Sequence, residues 1–458
     1  MEVATYENIS IAGIEYLRLL SLEIEQKINT HSTALIVCEV TADQSKKVLS
    51  MSDESYICIT YCNGGESGIL FYGVKIGAED HFEGGYYSLT LQLASTSHLL
   101  DRKKISKTFS DTRKTISGIM QEVVQDNAII AFHITDKTIG GFWMQYEETA
   151  WEYLRRLASH YNACIIANIS SKKPVIHIGK PSEKESEDQY FETKINNSPT
   201  FGLLGSDLQQ YASVDCSQFQ NYATWMGTTT LNHGILSKTL VKLKEEDFQQ
   251  DRITNERVEG LILNGIVKEI NKNKVKVFFD QIDSSYDAAT DKWFEYSTAY
   301  ASNGGAYGSG FYFMPEEGDH VKVFFPTKSE DDGVVIASVN VSPLDDETKM
   351  RWRSPGGQEI LFTKDGIKIT GIENSVFIEL SHNENSEYGM QIICNNDIMV
   401  ETQNGQNCES SDIMFYAVNK LLMYADNQIK FETDCACLEL DPSEIKFKGE
   451  SVFIVNER

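Results

Sequence analysis

Asp365-Gly366-Ile367-Lys368-Ile369 is a five-residue motif that returns three times downstream. It recurs as Asn396-Asp397-Ile398-Met399-Val400, as Asn427-Gln428-Ile429-Lys430-Phe431 and as Ser443-Glu444-Ile445-Lys446-Phe447. The central isoleucines lie 31, 31 and 16 residues apart, so the underlying unit is about half of 31. Each copy joins a turn signal to a short run alternating apolar and polar side chains. That period of two is the pattern of half-buried strands with tight corners. A regular ladder of short strands is a quasi-one-dimensional solenoid.

One face of this ladder is apolar: Ile367, Ile369, Ile398, Val400, Ile429, Phe431, Ile445 and Phe447. No helical pattern nearby offers to cover it, and the strand edges need hydrogen-bond partners. Three identical ladders wound about one axis would meet both needs. A single-chain β-helix or a small sandwich are the alternatives. About eleven stacked strands at ~4.8 Å would make a blade on the order of 50 Å long. The register stays open, because a shift of one residue exchanges the two faces.

A chain of 458 residues has room for about three domains. Its net charge of −26 opposes binding to nucleic acid and to anionic lipid headgroups. The stretch Trp352–Arg458 holds 18 acidic and 8 basic residues, so the acidity runs into the ladder and keeps its outer face soluble. Nine cysteines are scattered as Cys38, Cys58, Cys62, Cys164, Cys216, Cys394, Cys408, Cys435 and Cys437. An odd number with no Cys-x-x-Cys pair reads as reduced thiols, several of them in cores. Met1–Gly13 lacks the basic start and apolar core of an export signal, so cytoplasmic synthesis and assembly are expected. The longest apolar runs, such as Val334–Val339, are far short of a membrane span.

Residues 1 to about 105 read as a β-rich barrel or sandwich. Leu20, Leu22 and Ile24 alternate with polar partners, Ala34–Val40 and Tyr56–Tyr61 are apolar runs, and Tyr86–Leu93 alternates again. Gly64-Gly65 and Gly84-Gly85 mark turns. Ile116, Ile119, Met120 and Val123 then form a helical stripe, with Asp111 or Thr112 as its cap. A second helix starts at the capping box Thr149-Ala150-Trp151-Glu152. Trp151, Leu154, Leu157, Ala158 and Tyr161 share its apolar face, and Arg155 and Arg156 fall off it. Strands follow at Cys164–Ile169 and Pro174–Ile178.

Lys180–Asp188 is a charged loop, and Phe191–Thr230 is β-rich again. Ser237–Arg257 reads as a charged connector, part helical, between two bodies. Beyond it, Ile266–Ile270 and Val275–Phe279 alternate across the turn Asn271-Lys272-Asn273. Further strands at Gly318–Phe325 and Gly333–Val339 complete a small Greek-key barrel of the OB type. The expected division is thus 1–236 with helices near 113–125 and 150–161, a linker 237–257, an OB-like domain 258–345, and a blade 352–458. The fold class is mainly β with a small α+β part.

The stretch Gly141–Ala158 resembles a motif of phage tail hub proteins and the VgrG family. There the pattern Gln-Tyr-x-Glu-Thr-x-Trp-x-x-Leu-x-Arg-Leu is matched here from Gln145 to Leu157. The barrel is similar to the OB domain that follows such hubs, in its first strands Gly265–Phe279, its Trp293, Gly304 and Gly305 loop, and its turn Pro315–Asp319. Arg353–Ile360 resembles the entry to the spike blade. The similarity covers essentially the whole chain in the family's order. It implies β-barrel-like hub domains, an OB barrel and a C-terminal intertwined trimeric β-helix or β-prism blade.

The resemblance also implies a homotrimeric hub and spike of a contractile injection system, such as a phage tail or a type VI secretion apparatus. The hub would cap an Hcp-like inner tube and meet baseplate proteins. The blade would carry a PAAR-like tip protein or effector cargo, touch membranes only by mechanical puncture, and leave the cell on contraction. Three departures from family variants stand out. No fused effector is expected after the blade, no lysozyme-sized insert fills the linker Pro343–Met350, and the His-x-His metal pattern of some spikes is missing.

Catalytic, cofactor and metal residues are expected to be none. The nine histidines lack ligand spacing, and His160 at a helix C-terminus suits the helix dipole. Cys435-x-Cys437 could offer thiols to a metal near a three-fold axis, but buried free thiols explain it more simply. Glu147, Glu148 and Glu152 could suggest a glycosidase pair, yet the capping box already accounts for Glu152. Ser302–Gly310 is glycine-rich without the Gly-Lys-Ser/Thr and helix that a phosphate loop needs. Trp143, Trp151 and Trp293 read as packing residues whose indole N–H groups need acceptors. The rival functions are a tail-associated enzyme that degrades cell wall and a trimeric surface adhesin.

Overall fold

The alternating segments near the N-terminus become one nine-stranded sheet. Its strand order is Ile9–Ile11, Tyr56–Asn63, Glu66–Glu83, Tyr86–Ser95, Thr33–Val40, Arg18–Gln26, Gly227–Asn232, Ile235–Val241 and Leu208–Tyr211. Leu22, Ile24, Ile36, Cys38, Leu89 and Leu91 lie on its inner face and are fully buried. The sheet therefore gathers strands from both ends of the first 241 residues. The computed structural model describes residues 6–63, 66–181, 208–211, 227–232, 235–241, 248–302, 309–342, 344–372, 375–381, 389–402 and 412–451. The turn at Gly64-Gly65, the charged loop after residue 181, most of Phe191–Thr230, Cys216 and Cys408 lie outside these residues.

A helix that the sequence reading missed, α1 (Ala42–Ser50), packs on this sheet through Val48. It carries too few apolar residues to show a stripe, and is set by Thr41, whose hydroxyl accepts the Gln44 amide at 3.4 Å. Helix α2 (Ile116–Val124) forms where the stripe predicts it. Its cap is Thr115 rather than Asp111 or Thr112: the Thr115 hydroxyl accepts the Gly118 amide at 3.2 Å. Asp111 is engaged by Arg113 instead, with Nε donating at 2.8 Å. Helix α3 (Ala150–His160) begins at the expected capping box, with Thr149 and Glu152 exchanging bonds of 2.9 and 3.1 Å.

Part of the expected connector is strand. Ile235–Val241 sits between Gly227–Asn232 and Leu208–Tyr211, paired antiparallel with both. Backbone pairing on two sides holds it in the sheet. Further on, Phe248 is buried and its carbonyl accepts the Cys164 amide at 3.0 Å.

The strands Ile262–Asn271, Lys274–Phe278, Phe294–Tyr296, Val334–Ser338 and His320–Phe324 close into a barrel. Lys272 takes φ +56° in the hairpin turn. Val267, Val275, Phe279, Phe294, Val321, Val323, Phe325 and Val335 fill the interior. At Gly265 a Cβ would run into Val277 Cγ1, so strand closure there requires glycine. The barrel belongs to the first of two compact units, Met1–Val341 and Ser342–Arg458. Among the described residues no helix is long and apolar enough to cross a membrane.

Among its described residues, the regular elements of the second unit are all strands. Met350–Arg353, Glu359–Thr363, Gly366–Ile372, Val376–Ser381 and Met390–Ile393 form an antiparallel meander, and Ile429–Glu432, Cys437–Leu440 and Ile445–Lys448 a three-stranded one. Three of the four repeats are thus strands. The copy at Ile398–Val400 is not: its residues are exposed and pair with nothing among the described residues. A strand exists only beside a partner about 4.8 Å away, and no described segment of the chain offers one there.

Candidate functional site

The stretch Gly141–Ala158 is a joint. Its strand Trp143–Glu148 pairs with Ile105–Phe109, and Phe142 and Met144 enter the barrel core. Phe142 meets Phe294 edge-on at 5.3 Å. On the other side, Trp143 packs with the helical core of α2 and α3. Helix α3 then turns back over the strand, which places Arg156 behind it.

Arg156 was expected to fall off the buried face of α3, but it is 1% exposed. The helix is covered on two sides, and Tyr153 and Arg156 form the second face. The guanidinium donates from Nε and Nη2 to the two oxygens of Glu148, each at 2.8 Å. Nη2 also donates to the Met144 carbonyl at 2.8 Å, and Nη1 to Glu330 Oε1 at 2.7 Å. Glu330 sits on the turn Glu330–Asp332 between two barrel strands. The cation lies 5.0 Å from the centre of the Tyr153 ring. One arginine therefore binds strand, helix and barrel together.

Burial pushes the Glu330 carboxyl above its usual range, against the pull of Arg156. Burial works to lower Arg156, but Glu330 and Glu148 outweigh it and hold the guanidinium above its ordinary value. Further bonds surround this centre. Asp331 accepts the Phe142 amide at 3.0 Å and Lys292 at 2.8 Å. Asp283 accepts the Thr108 amide and hydroxyl at 2.9 and 2.6 Å, and Asn255 donates to the Tyr146 carbonyl at 2.8 Å.

The three carboxylates weighed for hydrolysis are thereby accounted for. Glu148 holds Arg156, Glu152 caps α3, and Glu147 takes φ +48° where the strand bulges, its amide bonded to Ser106. Trp143 donates to the Ile139 carbonyl at 3.3 Å, Trp151 packs on His31 at 4.1 Å, and Lys276 lies 4.9 Å over the Trp293 ring. Cys38 and Cys164 are buried, which raises each thiol to about 11. Cys435 is exposed and Cys437 half-buried, and no group of three or more metal-ligating side chains occurs among the described residues. Ser302 and Ser309 pair in a short hairpin, and the glycines between them lie outside the described residues.

Ser97, His31 and Asp101 are a chain that sequence spacing could not reveal. His31 Nδ1 lies 2.8 Å from the Ser97 hydroxyl, and Nε2 lies 3.3 Å from Asp101. The order resembles a nucleophile, base and acid, but Ser97 is 1% exposed and its hydroxyl also meets Ser95 at 2.7 Å. The network ties the turn before Thr33 to the cap of α3, since Thr149 donates to Asp101 at 2.5 Å.

His160 is not the charged helix terminus that its position suggests. Burial, then Arg252, lowers its pKa to about 4. Its Nε2 donates to the Ile253 carbonyl at 2.9 Å, which fixes the neutral tautomer. His177, beside His133 at 2.9 Å, is lowered to about 4 by burial and by that neighbour. The unfolded chain takes up protons near pH 6.5, the folded one only near 4, so folding stability falls as pH drops through that window. His160→Gln keeps the donor without the titration. In urea melts across pH 4 to 6.5 it should remove about 1–2 kcal/mol of acid destabilisation, allowing for partial solvent exposure.

The second unit presents a different surface. Across the five-stranded meander, Trp352, Ile360, Ile369, Ile378 and Ile392 stand in one cross-strand row, and Met350, Phe362, Ile367, Leu380 and Met390 in the next. The two rows share a face. In the smaller sheet Ile429, Leu440 and Ile445 form a row beside Phe431, Leu438 and Phe447. The opposite row there is Lys430, Glu439 and Lys446. Among the described residues, none beyond Val335 belongs to the buried hydrophobic core.

Residues 259–339, the barrel, match the family model of the type VI secretion system and phage-baseplate injector OB domain. Over these residues the chain is similar to the injector proteins of type VI secretion systems and phage baseplates. A chain of the Francisella PdpA–VgrG complex superposes over 84% of this chain and 87% of its own length, at 9% identity and a TM-score of 0.50. A component of the E. coli type VI secretion system, itself structurally similar to T4 bacteriophage tail proteins, covers 72% of this chain and 99% of its own, at 12% identity and a TM-score of 0.45. A 43 kDa prophage tail protein from Shewanella oneidensis covers 55% of this chain and 99% of its own, at 8% identity and a TM-score of 0.38. No curated protein matches the sequence.

Proposed function

We propose that three copies of this chain assemble as the hub and spike of a contractile injection system. Residues 342–458 of the three copies wind together into the piercing blade. The hub caps the inner tube, and the blade end carries a tip protein or cargo through a target envelope on contraction. The protein is built and assembled in the cytoplasm and leaves the cell with the tube. No catalytic step is assigned to it.

One observation carries this reading. Ten apolar side chains cover one face of the meander, yet Met350 is 71% exposed, Trp352 57% and Ile392 52%. Contiguous apolar surface of this kind marks an interface. Copies of the same chain satisfy it with identical faces turned to a common axis, and they supply edges for segments such as Ile398–Val400. The joint at Arg156 fits the role, because it fixes the barrel to the hub against axial load.

Light scattering of the purified protein tests the proposal. The expected mass is three times 51.6 kDa. A stable 51.6 kDa particle at every concentration, with the isolated stretch 342–458 also monomeric, would overturn it.

A further inference from the structure

The first unit contains a groove that runs against the charge of the whole molecule. It has a volume of about 710 Å³ and opens between the segment Leu99–Ile105, the end of α2, the start of α3 and the turn Lys172–Pro174. Its floor is apolar, with Leu100 and Val124 buried and Ile105 half-buried. Its rim carries Lys103, Lys172 and Lys173, all exposed. Asp126 is the one acidic residue lining it.

None of the three lysines forms an ion pair among the described residues, and Lys172 lies 5.6 Å over the ring of Tyr56. Lys104 extends the run, while Arg102 beside it is occupied by Glu54 and the Asp53 carbonyl. The C-terminal end of α2 and the N-terminal end of α3 both border the groove, so their dipoles offset and the lysines set the local field. In a chain of net charge −26, an unpaired cluster of this sign concentrates attraction for a negative partner at one place.

We propose that this groove binds an acidic peptide segment of a partner protein. One apolar side chain of the segment sits on Leu100 and Val124, and flanking carboxylates face Lys103, Lys172 and Lys173. The size suits a short peptide, being within the usual range of ligand pockets. A nucleic acid fits less well. Its phosphates need a long basic track, whereas this groove offers three lysines with Asp126 among its lining. The apolar floor would also have no use for a phosphate backbone.

The test uses the full-length protein and a fluorescein-labelled peptide of glutamate–glutamate–leucine repeats, read by fluorescence anisotropy. A glutamine–glutamine–leucine peptide is the control. Binding of the acidic peptide is expected, weakening with added salt. The triple variant Lys103→Glu, Lys172→Glu, Lys173→Glu should weaken it about tenfold or more. These lysines are exposed, so the melting temperature should not move; the triple glutamine variant, which only neutralises them, should give an intermediate loss. Equal binding by wild type and variant would overturn the proposal. So would an oligothymidylate competing as well as the peptide, which would make the groove a general polyanion site. A fall in particle mass for the variant would also overturn it, because the groove would then face a second copy of this chain.

Discussion

Arg156→Met is expected to destabilise the Met1–Val341 unit by about 3–5 kcal/mol, the usual cost of removing one partner from a buried ion pair. The size follows from what remains. Glu148 and Glu330 are 5% and 4% exposed, and without the guanidinium two carboxylates face one another in a poorly solvated space. They also lose three charge-assisted bonds of 2.7–2.8 Å, and the Met144 carbonyl loses its donor. Urea unfolding of the purified variant measures the loss. Adding Glu148→Gln and Glu330→Gln removes the stranded charges and should recover most of it, since an apolar or neutral replacement of a whole buried network is often tolerated. A single variant that unfolds within about 0.5 kcal/mol of wild type, as ordinary surface changes do, would mean that the joint rests on Phe142 and Met144 alone.

This joint also marks how far the sequence can be read. The capping box at Thr149 and the apolar stripe of α3 are local patterns, and both are present as written. The role of Arg156 depends on Glu330, 174 residues away, and on a second buried face that one helical stripe does not reveal. Likewise α1 lacked a stripe, because one buried valine and a threonine cap suffice when a large sheet lies beneath. Ile235–Val241 was hidden because its two strand neighbours, Gly227–Asn232 and Leu208–Tyr211, are not adjacent to one another in the sequence. His160 shows the same limit in electrostatics. Its place at a helix end suggested charge, while the Ile253 carbonyl and the surrounding burial make it neutral. The alternation in the repeats was legible, since each motif residue follows a period of two. Its failure at Ile398–Val400 has the converse cause: a strand pattern specifies a face but cannot supply the neighbouring edge.

Ile369→Asp is the second change with a large expected effect, and its size separates a single chain from an assembly. Ile369 lies mid-row between Ile360 and Ile378 and is 43% exposed in one copy. In an isolated chain an aspartate there is a surface change, costing about 0.5 kcal/mol or less. If three meanders face a common axis, the same change brings three carboxylates together in an apolar interior. Burying each without a partner costs several kcal/mol, so the assembly should dissociate at its working concentration or melt far earlier. Lys368→Asp is the control, one residue away and on the opposite face, beside Leu361 and Glu379. It should leave mass and melting nearly unchanged. Light scattering and thermal melting of both variants decide the matter. A drop for Ile369→Asp alone fixes both the trimer and the register. Equal, small effects would mean that this face meets water, and the ten apolar side chains would then need another cover.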